Sequence, residues 1–306
     1  FTSDDTQALL PANYTFIPAT DNGAHTFSVT LKTIGTRSVT VTGDTKTGQQ
    51  AAITVNAAAP VTMSFTTQPS STATAAVDLA AQPVVTLYDV YSNVCTNSTL
   101  GVTLSAVLAS DGTTAGGGTL NGTLSVNAVA GVATYTGIDY TKAESIKLKA
   151  TATGPTPVNS NTIAVATNTP TKLVILTQPS PTSIAGLEFG QQPVLAVQDA
   201  YNNTITTDNL TQITLSRGAT GTDILQGTTL TLPVTAGVAT FSGLSYNKAE
   251  IMNILATDYS HGIFKTTDAD FTGTLTNTAV SGTGAAGRVQ LTNNFVTINR
   301  WDTVLP

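Results

Sequence analysis

A chain of 306 residues and 31.3 kDa has room for two or three domains. Charged residues make up 10%, against roughly 25% in an average soluble domain, while 61 residues are Thr, 25 Gly and 13 Pro, a composition that favours strands over helices. A net charge of −6 and a pI near 4.7 argue against nucleic acid or anionic lipid as partners, and no apolar run approaches the roughly 18 residues of a membrane helix.

The chain opens Phe1-Thr-Ser-Asp-Asp, without the basic region or apolar core of a secretory signal. The numbering therefore starts at a mature end or inside a longer chain. Gly23-Ala-His-Thr-Phe27 aligns with Gly131-Val-Ala-Thr-Tyr135 and Gly237-Val-Ala-Thr-Phe241, and Thr33-Ile34-Gly35 falls opposite Thr141-Lys142-Ala143. On that alignment residues 1–59 are the back half of a repeating unit, with three or four strands.

From residue 60 the repeat is explicit. Thr67-Gln-Pro-Ser70 recurs as Thr177-Gln-Pro-Ser180, Gln82-Pro-Val84 as Gln192-Pro-Val194, and Asp89-x-Tyr91-x-Asn93 as Asp199-x-Tyr201-x-Asn203, all offset by 110. Further on, AGVATYTGIDYTKAE at 130–144 matches AGVATFSGLSYNKAE at 236–250, now offset by 106, with ten of fifteen positions identical. A four-residue deletion in an intervening loop accounts for the change.

Within each copy, apolar residues alternate with period two. Val85 and Leu87 share a face, as do Leu195 and Val197. Val102, Leu104 and Ala106 form a second inward set, matched by Ile213 and Leu215. Ile146, Leu148 and Ala150 form a third, matched by Met252, Ile254 and Ala256. Pro83 and Pro193 open strands, where a missing N–H is tolerated. Ser110-Asp-Gly112 and Ser260-His-Gly262 supply turns, and no stretch sustains a 3.6-residue period. About seven short strands per 105–110 residues predicts an all-β chain of tandem immunoglobulin-like β-sandwiches in an elongated string. The expected division is 1–59, the back half of a sandwich; 60–168 and 169–280, complete sandwiches; and 281–306, a linker with the first strands of a further or donated element.

The segments TQPS, QPVVTLYDVYSN and AGVATYTGIDYTKAE, with their second copies, resemble the bacterial Ig-like tandem repeats of large cell-surface proteins, across residues 1 to about 270. The resemblance implies an extracellular location in an adhesin, a surface-layer protein or a fibre, and no catalytic residues. The chain departs from the usual Asp-x-x-Gly-Asn turn of that group with Tyr91-Ser-Asn93 and Tyr201-Asn-Asn203, where Asn tolerates a left-handed backbone.

Candidate chemistry is sparse. His25 and His261 share no ligand motif, which leaves zinc without a site. Cys95, the single cysteine, excludes an internal disulfide and stands where the next copy has Ile205, so it reads as a small buried hydrophobe. Gly282-Thr-Gly284-Ala-Ala-Gly287 matches GxGxxG but precedes the strand-like RVQL rather than a helix, and reads as a flexible linker. Calcium is the one cofactor with candidate ligands: Asp89, Asn93, Asp199 and Asn203, which recur, and the pairs Asp268 with Asp270 and Asp4 with Asp5. For the recurring pairs an Asx turn is an equal account. Lys142-Ala-Glu144 and Lys248-Ala-Glu250 read as solvated turns. Five N-x-Ser/Thr sequons, at Asn13, Asn97, Asn121, Asn202 and Asn209, are about as many as composition produces by chance.

At the other end, Val289 and Leu291, then Val296 and Ile298, alternate as two short strands. The chain is a window on a longer polypeptide, or its incomplete end is filled by a neighbour's strand. The expected function is an extracellular, non-enzymatic structural unit of a cell-surface array or filament, S-layer-like or fibre-like, that self-associates end to end or by strand exchange. The alternative is the stalk of an adhesin whose binding head lies elsewhere, with a cell-surface glycan or protein as ligand, and a third reading is the non-catalytic portion of a secreted enzyme.

Overall fold

At Val85 and Leu87, at Val102 and Leu104, at Ile146 and Leu148, and at their second copies Leu195, Val197, Ile213, Leu215 and Ile254, the backbone is extended and paired, because one buried face per strand fixes its register. The computed structural model describes residues 1–258, and the backbone of the strands Thr274–Thr278, Arg288–Thr292 and Ile298–Asn299. The chain is all-β, and it divides into two compact units. One comprises Phe1–Ala73 with Val77–Val165, and the other Thr74–Ala76 with Ala166–Pro306.

In the first unit, residues 1–59 form a sheet of Thr2–Ser3, Gly35–Gly43 and Lys46–Val55 in that order. Only Asp5 and Ala57 in this segment are fully buried. Its packing comes instead from an aromatic cluster, with Tyr14 stacked on His25 at 4.0 Å and Phe1 edge-on to Phe27 at 4.8 Å. One helical turn, Pro18–Asp21, departs from the all-strand expectation. Pro18 presets its first φ, the Asp21 carboxylate accepts the Ile17 N–H at 2.6 Å, and Asn22 ends it in the left-handed region. A single turn carries no periodicity to read.

The sandwich that follows places Val132–Thr134, Val84–Tyr88 and Thr62–Thr67 in one sheet. Its second sheet runs Ile163–Ala166, Ser145–Thr151, Gly101–Leu108, Ser125–Asn127. Val85, Leu87, Val102, Leu104, Ile146, Leu148 and Ala150 are at most 2% exposed, as the alternation requires. Each such Leu or Ile contributes about 1.5–3 kcal/mol by leaving water. Ala106 is only half-buried, while Val107 on the opposite face is buried.

The second unit repeats this pairing. Val238–Thr240, Val194–Gln198 and Lys172–Thr177 form one sheet, and Thr231–Pro233, Gln212–Arg217 and Ile254–Asp258 another. Leu195, Val197, Ile213, Leu215, Met252, Ile254 and Ala256 join Phe241 and Tyr246 in one core cluster. Tyr135 and Phe241 fill the same place in the two copies; only Tyr135 has a hydroxyl to satisfy, and it donates to the Val102 carbonyl at 2.8 Å.

Backbone torsions follow the alignment into the first segment. Asn22-Gly23, Ala130-Gly131 and Ala236-Gly237 all have positive φ at both residues, 48° and 78°, 51° and 79°, 50° and 77°. The first pair is closed by the Ala24 N–H donating to the Asp21 carbonyl, and the other two by reciprocal backbone bonds between Val129 and Val132 and between Thr235 and Val238. At Ala130-Gly131 and Ala236-Gly237 these are hairpin turns of the mirror-image kind that suits strand twist, whereas at Asn22-Gly23 the same torsions end a helical turn. Glycine is required at the second position for space as well: a Cβ would lie 2.6 Å from the Cys95 carbonyl at Gly131, and 2.5 Å from that of Ile205 at Gly237. The expected equivalence of 24–26 with a strand does not hold. Val132–Thr134 is extended because it pairs with Val84–Tyr88, and among the described residues 24–26 have no such partner.

Alanine pays a steric penalty at the left-handed positions that asparagine largely avoids. Ala130→Asn and Ala236→Asn, both at exposed sites, should each stabilise the chain by about 0.5–1 kcal/mol, while Gly131→Ala should destabilise it. Urea titration of the variants measures both, and a lower midpoint for either Asn variant would contradict the turn assignment.

Candidate functional site

The recurring Asp-x-Tyr-x-Asn element sits where each sandwich receives the chain that enters it. Asp89 follows the strand Val84–Tyr88, and Asp199 follows Val194–Gln198. Each opens a tight loop: the Asp89 N–H donates to the Asn93 carbonyl at 3.0 Å, and the Asp199 N–H to the Asn203 carbonyl at 3.0 Å. The left-handed residue is Ser92 (φ 66°) in one loop and Asn202 (φ 69°) in the other, rather than the terminal Asn of the motif.

Both carboxylates are buried, Asp89 at 3% exposure and Asp199 at 0%. Oδ1 of Asp89 accepts the N–H groups of Tyr91 (2.9 Å) and Asn93 (2.8 Å), and Oδ2 accepts Asn93 Nδ2 (2.9 Å) and the Ala58 N–H (3.1 Å). Asp199 repeats the set at 2.9 Å throughout, with Tyr201, Asn203, Asn203 Nδ2 and the Asn168 N–H. Ala58 and Asn168 are entry residues offset by the same 110 positions. The Asx turn is therefore present, and the second carboxylate oxygen also holds the incoming chain.

In the first unit the seam extends further. Asn93 Nδ2 donates to the Lys32 carbonyl at 2.7 Å, and Asn93 Oδ1 accepts the Ile34 N–H at 3.2 Å. Lys32 Nζ lies 5.6 Å from the Tyr91 ring centroid, within cation–π range. On the far side of the same corner, buried Asp5 accepts the Lys32 N–H (2.6 Å), the Thr33 N–H (2.9 Å), the Thr33 hydroxyl (2.6 Å) and the Gln7 N–H (2.9 Å). Corner 32–34 is thus held from both sides through its backbone.

Burial alone would raise the pKa of Asp89, but the Asn93 amide and the N–H groups of Asn93, Ala58 and Tyr91 outweigh it and hold the carboxyl below its ordinary value. Asp5 shows the same balance. Burial opposes ionisation, and the Thr33 hydroxyl with three backbone donors carries the pKa well below the usual range. Burial, then the Asp89 charge, pushes up the pKa of the Cys95 thiol, whose Sγ lies 3.5 Å from the Ala58 carbonyl. A fully buried, protonated thiol is packing rather than a nucleophile.

As to calcium, Asp89, Asn93, Asp199 and Asn203 do come together in two pairs, but N–H donors occupy the carboxylate lone pairs that a cation would need. Among the described residues no three His, Cys, Asp or Glu side chains cluster. Asp268, Asp270, His261 and the Gly282–Gly287 motif lie outside the described residues.

The reading of Lys-Ala-Glu as a solvated turn needs correction. Glu144 Oε1 accepts the Tyr140 hydroxyl (2.5 Å) and the Gly117 N–H (2.7 Å), while Lys142 Nζ lies 3.4 Å from Oε2. Glu250 does the same with Tyr246 (2.5 Å), the Thr222 N–H (2.5 Å) and Lys248 (3.0 Å). Each glutamate clamps a neighbouring loop onto the corner. Burial first, then the hydrogen bond to Glu144, pushes the Tyr140 pKa up to about 12. The recurring glutamines, given no role by the sequence, act similarly: Gln82 Oε1 accepts the Ile138 N–H at 2.9 Å and its Nε2 donates to the Leu79 carbonyl at 2.9 Å; Gln192 pairs with Leu244 and Phe189 at 3.1 and 3.0 Å. A polar residue recurring at fixed offset beside an invariant-spacing Pro was the available signal.

No family model matches the sequence, and no curated protein matches it. Among solved structures, the Escherichia coli adhesin FdeC is similar at 14% identity and a TM-score of 0.32, over 82% of this chain and 70% of that one. A β-glucuronidase of Parabacteroides merdae is similar at 12% identity and a TM-score of 0.22, over 61% of this chain and 22% of that one. Scores this low carry no argument about function.

Asp89→Asn turns an acceptor into an amide facing N–H donors and should cost about 2–4 kcal/mol by leaving buried groups unpaired. Because the folded pKa is depressed, the wild-type carboxylate stabilises fully above its ordinary value of 3.8 and loses that contribution as pH falls below it. Urea titrations at neutral and acid pH should show the gap between wild type and Asp89→Asn narrowing with acidification; a constant gap would remove the cap from the stability account. Glu144→Ala should speed limited proteolysis at Gly116–Gly118, whereas Lys142→Ala should leave it nearly unchanged.

Proposed function

We propose that the chain is a non-enzymatic structural component of an extracellular cell-surface assembly, a repeat unit of an S-layer-like array or filament joined by non-covalent end-to-end or strand-exchange contacts. The observation that carries this reading is the repeated cap, in which Asp89 and Asp199 each spend a buried carboxylate on the entering chain at Ala58 and Asn168. A catalytic carboxylate needs a free lone pair near a reacting atom; these have theirs committed to backbone donors. What such a site does chemically is fix how a chain enters a sandwich, which is the requirement of a spacer or lattice unit.

The stalk of an adhesin makes the same demand of its junctions, with the ligand-binding head outside this chain. Electron micrographs of cells carrying the protein, labelled with an antibody to it, should show an ordered array or filament that is lost on deletion of the gene. Isolated copies that bind a glycan or host protein, with no array, would favour the stalk. Labelling confined to the cell interior would overturn both.

A further inference from the structure

The sheet edges of the second sandwich receive strands in a way that the first does not. In the first, the chain at Ser71 is closed by the repeat's own last strand, the Ala164 N–H donating to the Ser71 carbonyl at 2.9 Å. Thr182–Ile184 occupies the equivalent position in the second copy, 110 residues on. Its partner is Arg288–Thr292, in the register Thr182 with Gln290, Ser183 with Val289 and Ile184 with Arg288. That segment lies well past the position the repeat offset assigns to a closing strand. Thr274–Thr278 pairs on its other side.

The opposite edge shows the same. Lys172 and Leu173 pair with Asn299 and Ile298, whereas the matching edge of Thr62–Thr67 carries no added strand among the described residues. The strands Arg288–Thr292 and Ile298–Asn299 therefore serve the two edges of one sandwich.

We propose that the strands Arg288–Thr292 and Ile298–Asn299 are donor strands that a second copy of this chain accepts at Thr182–Ile184 and Lys172–Leu173, linking copies by strand exchange. This rests on the reading of the chain as a self-assembling component and names the contact. Edge addition is made of backbone hydrogen bonds, so an identical segment from a neighbour satisfies the edge as well as the chain's own does. The covalently attached segment wins at low protein concentration, and a neighbour's competes as concentration rises.

Directly opposed residues of antiparallel strands are within disulfide reach, which gives the test. Full-length Ser183→Cys and Val289→Cys chains are mixed over a range of concentrations and oxidised, with Thr182→Cys and Gln290→Cys as a second pair; buried Cys95 is shielded. A covalent dimer that grows with concentration in either mixture, and is absent when Thr66→Cys replaces the acceptor, is expected. The double variant Ser183→Cys/Val289→Cys closing within one chain while every mixture stays monomeric would overturn exchange. Cross-linking in neither would overturn the pairing itself. Dimers in solution from a protein that forms no surface array would sink the proposed function and leave the donor element standing.

Discussion

A buried carboxylate is tolerable only when hydrogen bonds replace the water it loses. That constraint organises this chain, which has few charges and, among the described residues, buries carboxylates at Asp5, Asp89, Asp199 and Asp258. Asp89 and Asp199 each turn a loop, anchor an asparagine and receive the N–H of an entering residue. Because one side chain closes all of these contacts, losing it would release the loop, the asparagine and the entry segment together. The remaining sandwich, with its alternating Val, Leu and Ile, would keep its core and lose the definition of its entrance.

The inward faces were legible because burial on a sheet is written in period two, and Val85, Leu87, Ile146 and Leu148 obey it without exception. The left-handed turns were half legible. Asn22-Gly23 states its left-handed geometry openly, while Ala130-Gly131 and Ala236-Gly237 reveal it only by alignment to each other. The clamps of Glu144 and Glu250 were hidden, since their partners are backbone groups in loops that differ between copies, Gly116-Gly-Gly in one and Gly221-Thr-Asp in the other. The entry contacts were hidden for the same reason. An N–H donor has no side-chain signature, so nothing at Ala58 or Asn168 advertises a partner.

Comparing the copies separates what the architecture requires from what it permits. The Asp, Asn, Gln and Glu that bond backbone groups recur with distances matching to a few tenths of an ångström. Core positions vary more freely: Tyr135, whose hydroxyl donates to the Val102 carbonyl, is matched by Phe241, and Cys95 by Ile205. Lys172, whose ammonium donates to Asn202 Oδ1 at 2.5 Å, stands where the first copy has Thr62.

The hydrogen bonds by which Asp89 and Asn93 hold the preceding segment go to the Lys32 carbonyl, the Ile34 N–H and the Ala58 N–H, all main-chain atoms. Every amino acid but proline offers those atoms. A module that recognises its predecessor this way needs no matched surface on it, so copies can be duplicated, lost or shuffled in the gene without a compensating change at the joint. The number of modules then becomes a quantity that recombination can adjust, and the joint stays the same at every length.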